Sequence, residues 1–272
     1  MQEMSLLENI DHFRLNDGEV GSGVRMSSSL KNRVLTRFAD RAENFLSEEL
    51  GFSIEEVESD ITRFFRLLKS NPARSHRHGS TSDRKNLWLH LLVSKLEPDT
   101  IVESGVWVGR SLFTLRKASP SSDLHAFDIS FENLLFENDS ITYHENDWSK
   151  SKLEFRNGTG FCYFDDHINN GKRTKEAYEK GFKHLVFDDC PRVSEIGEYR
   201  FPGVPTAIMI YKKEMEEGEK VEYSYKDEKI GYTFKKEHVH DSYNLIEKEY
   251  YLSSVKGGKK VKHLAYVKIG TN

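Results

Sequence analysis

Ile101-Val102-Glu103-Ser104-Gly105-Val106-Trp107-Val108-Gly109-Arg110-Ser111 reads as an apolar strand, an acid at its end, a turn with two glycines, and the start of a helix. Glycines at such a turn allow an unusual backbone and let a ligand lie close to the main chain. The free amides of a helix start suit a carboxylate or another anion, and the acid can hold an amino group. An amino acid moiety fits that combination, with Glu103, Gly105, Trp107, Gly109 and Ser111 around it. The spacing matches neither G-x-G-x-x-G nor the P-loop G-x-x-x-x-G-K-[ST]. An ordinary strand-to-helix turn whose glycines serve only packing is the plainer alternative.

On either side of this stretch, strands and helices alternate. Strands are predicted at Thr100 to Glu103, Leu124 to Asp128, Ile141 to His144, Phe161 to Asp165 and His184 to Phe187, with helices at Leu87 to Leu96, Arg110 to Lys117 and Gly171 to Lys180. That rhythm predicts an α/β fold with a mostly parallel sheet covered on both faces, whose ligands bind at the carboxyl ends of the strands. Tyr250 to Val255, the pair Gly257-Gly258, and Val261 to Ile269 read as a closing antiparallel hairpin. The segment Lys212 to Lys236 reads as a surface hairpin or a substrate-facing insertion.

Upstream, Leu30, Val34, Leu35, Phe38 and Phe45 recur at helical spacing. A second helix, opened by a capping box of Ser53 and Glu56, presents Val57, Ile61, Phe64, Phe65 and Leu68 on one face. The stretch SNPARSHRHGSTSD (70–83) reads as a loop. The expected organisation is a helical N-terminal cap over 1–83 and an α/β domain over 84–272, with a variable insertion at about 191–249. The cap is also a candidate oligomer surface, compatible with a homodimer.

The 272 residues carry a formal net charge of -4, which gives no basic stripe for nucleic acid. Two cysteines without metal-ligand spacing fit a reducing, cytoplasmic compartment. The opening MQEMSLLENIDHF lacks a basic start followed by an apolar run, and no window approaches the roughly 20 apolar residues of a membrane span. A soluble protein is expected, with neither nucleic acid nor membrane as partner.

Acids mark the remaining strand ends. Asp128 lies 23 residues after Gly105, close to the spacing at which an acid in nucleoside-binding α/β folds bonds ribose hydroxyls. Asp147, just past the third strand, is positioned to accept from an adenine amino group, although a single acid there also suits a helix cap. Tyr163-Phe164-Asp165-Asp166-His167 and Val186-Phe187-Asp188-Asp189-Cys190 repeat one strand ending. Paired acids in a crevice repel unless a cation is present, and a hard divalent ion such as Mg2+ prefers carboxylate oxygens. About three of the four acids can face one point, because side chains alternate along a strand. Which of Asp165 and Asp166 faces it stays open, and each pair also suits an ordinary polar turn.

With these motifs in view, the chain resembles class I S-adenosylmethionine-dependent methyltransferases. Within them it resembles the metal-dependent O-methyltransferases of the catechol and macrolide-sugar type. The resemblance covers about Leu87 to Asp189 and the final hairpin. It rests on Glu103-x-Gly105-x-x-x-Gly109, Asp128, Phe164-Asp165-Asp166-His167 and Phe187-Asp188-Asp189. It implies a Rossmann-like methyltransferase fold with a seven-stranded sheet, S-adenosylmethionine held by Glu103, Gly105 and Asp128, and a metal ion, Mg2+ foremost, on Asp166, Asp188 and Asp189. The catechol enzymes carry a lysine base three residues after the first metal ligand, where this chain has Asn169, leaving His167 and Lys172 as candidate bases.

The implied activity is metal-assisted methylation of an oxygen on a small molecule or carbohydrate. Tyr199, Tyr223, Tyr225, Tyr232 and His238 favour a sugar acceptor. A metal-dependent hydrolase or phosphatase would also use paired acids, but has no need of the glycine turn or Asp128. A binding protein that keeps the cofactor fold without catalysis is the other alternative.

Overall fold

The computed structural model describes residues 36, 39–40, 42–52, 57–76, 81–153, 158–199, 202–225, 227–235, 245–251 and 264–270. The chain divides into two compact units. One comprises 1–97, 107–120 and 133–137; the other comprises 98–106, 121–132 and 138–272. This division falls after Glu97, whereas the sequence boundary was drawn at 83/84.

The first unit contains helices α1 (Val57–Ser70), α2 (Asp83–Leu96) and α3 (Arg110–Ala118). Val57, Ile61, Phe64, Phe65 and Leu68 are all buried, as their helical spacing predicts. The capping residues Ser53 and Glu56, and Leu30, Val34, Leu35 and Phe38, lie outside the described residues. Helix α2 begins four residues before the apolar run, because the Ser82 side chain accepts from the Lys85 amide and caps it. Its first turn is buried despite four consecutive polar residues, Asp83 to Asn86. Burial of Asp83 is made tolerable by an ion pair with Arg110, the first residue of α3. Asn71 donates to the Arg110 carbonyl at 3.0 Å, so the start of α3 is held by both its side chain and its backbone.

The second unit is built on a sheet of β1 (Thr100–Ser104), β2 (Asp123–Asp128), β3 (Ile141–Glu145), β4 (Gly160–Phe164), β5 (His184–Phe187), β8 (Ile246–Tyr251) and β9 (Ala265–Ile269). Their order is β3-β2-β1-β4-β5-β9-β8. The first five strands run parallel, and β9 enters antiparallel between β5 and β8. Every residue of β4 is buried, as expected of a strand packed on both faces. Val102, Phe127, Cys162, Phe164, Leu185, Phe187 and Val267 form one core face. Helices α4 (Asn170–Glu179) and α5 (Ala207–Lys212) contribute Ala177, Ala207 and Ile208 to the same core. Trp148 is fully buried there, edge-on to Phe127, Phe164 and Phe182.

The insertion forms a two-stranded hairpin of β6 (Lys220–Tyr225) and β7 (Glu228–Thr233). The pair Gly257-Gly258 and residues 252–263 around it lie outside the described residues; β8 shares only Tyr250 and Tyr251 with the expected first strand, and β9 falls within the expected second. No described helix is long and apolar enough to cross a membrane. Cys162 and Cys190 are both buried, and neither is in a disulfide.

Candidate functional site

Strand order reverses between β1 and β4, where β1 continues through α3 toward β2 on one side and β4 continues toward β5 on the other. In open α/β sheets the crevice at such a switch point, beyond the carboxyl ends of the strands, is where ligands bind. Glu103, Ser104 and Gly105 from β1 and Asp165 and Asp166 after β4 flank this one. Glu103 is completely buried.

Gly105 has φ +89, and a Cβ there would lie 2.5 Å from both the carbonyl carbon and oxygen of Asp165. The side-chain-free position is therefore taken up by the backbone after β4, which is the packing role weighed for it in the sequence. The same closeness lets Ser104 Oγ donate to Asp166 Oδ2 at 2.6 Å, and Asp165 N donate to the Ser104 carbonyl at 2.8 Å. Asp166 is thus joined side chain to side chain with β1.

Asp128 sits at the end of β2. Its Oδ2 accepts from the Val106 amide at 2.7 Å, and its Oδ1 from the amides of Ile129 at 2.7 Å and Ser130 at 3.3 Å, so this carboxylate organises the turn. Ile129, the next residue, is 85% exposed, an apolar side chain left in solvent beside the acid. Sequence reading passed over Ile129. The available signal was an apolar residue just after a strand-end acid, where a turn would otherwise be polar.

Trp107, Gly109 and Ser111 belong to the first unit. Trp107 adopts φ +51, is 44% exposed and meets the ring of His76 edge-on at 6.3 Å. Gly109 has φ +79 and lies where a Cβ would come within 2.8 Å of Leu134 Cδ1; Ser111 is buried in the first turn of α3. His167 and Asp189 also have positive φ, at +57 and +46. Non-glycine residues in this region are strained, and such strain concentrates at functional sites.

The four acids do not converge as a metal centre. Among the described residues no group of three or more His, Cys, Asp or Glu side chains could hold a metal ion. Asp166 is engaged instead by Arg173, whose Nε donates to Oδ2 at 2.9 Å, and by the Ile168 amide on Oδ1 at 3.2 Å. Asp188 accepts from the Tyr163 hydroxyl on Oδ2 at 2.9 Å and from the Asp189 amide on Oδ1 at 2.6 Å. Asp166, Asp188 and Asp189 therefore do not converge as a ligand set among the described residues in this arrangement, and Asp166 and Asp188 already accept from protein donors.

Asp147 caps the short helix Trp148–Lys150 through the Ser149 amide and pairs with Arg173 through both oxygens. Burial acts to raise its pKa, but hydrogen bonds from Arg173 and Ser149, with the Arg173 charge, hold it well below the usual carboxylate range. Of the two neighbouring bases on α4, Arg173 points inward, whereas the Lys172 side chain is 43% exposed and lies 3.6 Å from Glu176. Asn169, at the position where a lysine base was sought, accepts from the Lys172 amide and caps α4. His167 is exposed at the strand end.

The tyrosines offered for a sugar are mostly packed. Tyr199 is buried; Tyr223 and Tyr232 stack on each other at 6.3 Å and cover Ile196, Met209, Met215 and Phe234. His238 lies outside the described residues.

Solved structures similar to this chain include CmcI with magnesium and S-adenosylmethionine. The match has 23% identity and a TM-score of 0.32 over 37% of this chain and 49% of that one. Another is the O-methyltransferase from Bacillus cereus in complex with SAH, with 15% identity and a TM-score of 0.46 over 76% and 90%. A third is the O-methyltransferase TomG from Streptomyces achromogenes, involved in tomaymycin synthesis, in complex with SAM, with 13% identity and a TM-score of 0.44 over 75% and 90%. The chain spans 49%, 65% and 60% of three CmcI structures, less than two thirds of their length. No protein-family model and no curated protein sequence matches it. The fold is the Rossmann-like class expected from the methyltransferase resemblance, on the strand order itself: a seventh strand reversed between β5 and β8 separates it from the dinucleotide-binding order 3-2-1-4-5-6.

Proposed function

We propose that this chain is an S-adenosylmethionine-dependent O-methyltransferase acting on a small-molecule hydroxyl. The observation that carries this reading is Asp128 at the end of β2, bonded to the Val106 amide in the turn that leaves β1 beside the switch point. It supports a nucleoside amino acid spanning the two strand ends, for which Asp128 would accept from the ribose, Ile129 would cover the adenine face, and Glu103 would attract the amino group. When bound, S-adenosylmethionine supplies the methyl group: its C–S bond breaks as the C–O bond to the acceptor forms, and the sulfonium becomes a neutral thioether. His167 takes the hydroxyl proton in this reading, since Lys172 is turned toward Glu176. The remaining acids and Arg173 shape the floor, so that acceptor and donor meet in line and little orientational freedom is left to lose.

A sugar acceptor stays within this class, but the stacked and buried tyrosines no longer favour it over other small hydroxylic compounds. The hydrolase alternative would use the same paired acids, of which Asp166 accepts from Arg173 and Asp188 from Tyr163, but it gives the glycine turn and Asp128 no role. The test is calorimetric titration of S-adenosylmethionine into the wild type and Asp128→Ala. Micromolar binding that weakens more than about tenfold in the variant is expected. No binding by the wild type overturns the methyltransferase reading.

A further inference from the structure

Arg173 is 1% exposed at its side chain and meets three carboxylates: Asp147, Asp166 and Glu176. A guanidinium has five N–H donors in a rigid fork. Here Nε reaches Asp166 Oδ2 at 2.9 Å; NH1 reaches Asp147 Oδ1 at 3.2 Å and Glu176 Oε2 at 2.6 Å; NH2 reaches Asp147 Oδ2 at 2.9 Å, with Asp166 Oδ2 also at 2.9 Å. Every nitrogen of the fork is committed. Burial acts to lower its pKa, but its bonds and charge interactions with Asp147, Asp166 and Glu176 outweigh that and raise it, so the cation is permanent.

The same Asp166 is the acid that the sequence resemblance marks as the first ligand of a divalent ion. A magnesium ion needs oxygens at about 2.0–2.1 Å in near-octahedral geometry. To serve it through Oδ2, Asp166 would have to share or shed both Arg173 and Ser104; through Oδ1, which accepts from the Ile168 amide at 3.2 Å, it would bring the ion to the same carboxylate that the guanidinium holds. The fork would then face a doubly charged ion across one carboxylate that is only 13% exposed, where screening by solvent is reduced.

We propose that Arg173 takes the place of that divalent ion: its guanidinium is the fixed cation that offsets part of the charge of Asp147 and Asp166 and positions Asp166, and the site works without bound metal. The role in methyl transfer rests on the reading above; the exclusion of the ion by Arg173 does not. Arg173 acts here as a positioning residue. It fastens Asp166, after β4, to Asp147, after β3, and so sets the distance between two strand ends across the switch point.

The experiment follows free Mn2+ by electron paramagnetic resonance while it is titrated into the wild type, Arg173→Met, Arg173→Lys and Asp166→Asn, each checked for folding by circular dichroism. The wild type is expected to bind Mn2+ no tighter than about 1 mM. Arg173→Met, which leaves the acids without their cation, should bind at least about tenfold tighter, and Arg173→Lys should return toward the wild type. Tight binding by the wild type that Asp166→Asn abolishes overturns the proposal, as does a folded Arg173→Met with no gain. Tight binding by the wild type that Asp166→Asn leaves unchanged also overturns the expectation of a metal-free site. Should Arg173→Met not fold, the wild type and Asp166→Asn decide alone. Titration of S-adenosylmethionine in EDTA runs in parallel: its failure would remove the methyltransferase reading and leave the Mn2+ result standing.

Discussion

Replacing Gly105 by alanine tests whether the turn after β1 is shaped by packing. Two costs add. A residue with a Cβ held in the left-handed region costs about 1–2 kcal/mol, and Gly105 has φ +89. The new methyl group would also sit 2.5 Å from the Asp165 carbonyl and 2.7 Å from the Asp166 amide, which are backbone atoms that cannot rotate away. Overpacking of that kind costs about 1–3 kcal/mol. Against these, alanine restricts the unfolded chain and returns roughly 0.4–1 kcal/mol. The net loss is about 2–4 kcal/mol, or on the order of 5–15 °C in Tm.

Gly218 supplies the control. Its φ is +82, but a Cβ there meets nothing within 4 Å, so Gly218→Ala carries the backbone cost alone. Urea and thermal melts of both variants followed by circular dichroism separate the two contributions. If Gly105→Ala is no more destabilising than Gly218→Ala, the close approach of the two strand ends is not a constraint and the argument fails.

Three further outcomes are expected. His90 is fully buried, and burial followed by the Arg63 charge lowers its pKa from 6.5 to about 4. Between those values the unfolded chain binds a proton that the folded chain refuses, so stability is full above pH 6.5 and falls by about 3 kcal/mol as the pH drops to 4. In urea melts His90→Leu should reduce that slope; a wild type equally stable at pH 7 and 4.5 would contradict it. Asp83→Ala leaves Arg110 charged and buried, and should cost about 3–5 kcal/mol, with a loss below 1 kcal/mol counting against the pair. Tyr163→Phe removes the hydroxyl that donates to Asp188 at 2.9 Å and should cost about 1.5–3 kcal/mol, read as a shift in the urea midpoint with an unchanged m-value.

Much of the architecture was legible in the sequence because it is written over short distances. Apolar runs bounded by turn residues marked β1 to β5, each within a residue of its observed ends, and the helical period marked the buried face of α1. The acid ending β2 was legible for the same reason, since a strand's last residue and its turn are neighbours in the chain. Cap chemistry was less legible: Ser82 starts α2 among polar residues, which a hydrophobic period cannot see.

The site itself was decided by packing. Arg173 and Lys172 are adjacent and chemically alike, and which of them enters the protein depends on how α4 is seated, about 100° of rotation separating neighbouring residues on a helix. Three strand-end acids looked like ligands in want of an ion because a sequence displays charges without their partners. Tertiary structure supplied partners for two of them, Arg173 and Ser104 for Asp166 and Tyr163 for Asp188. The sequence by itself determined the order of strands and helices and where the acids fall along them, since both follow from local periodicity. Only the tertiary structure decided that β9 enters between β5 and β8, that Gly105 makes room for the backbone at Asp165, and that a guanidinium lies among the acids. Each of those joins residues far apart in the chain, and such contacts are selected by burial and hydrogen bonding, not by sequence spacing.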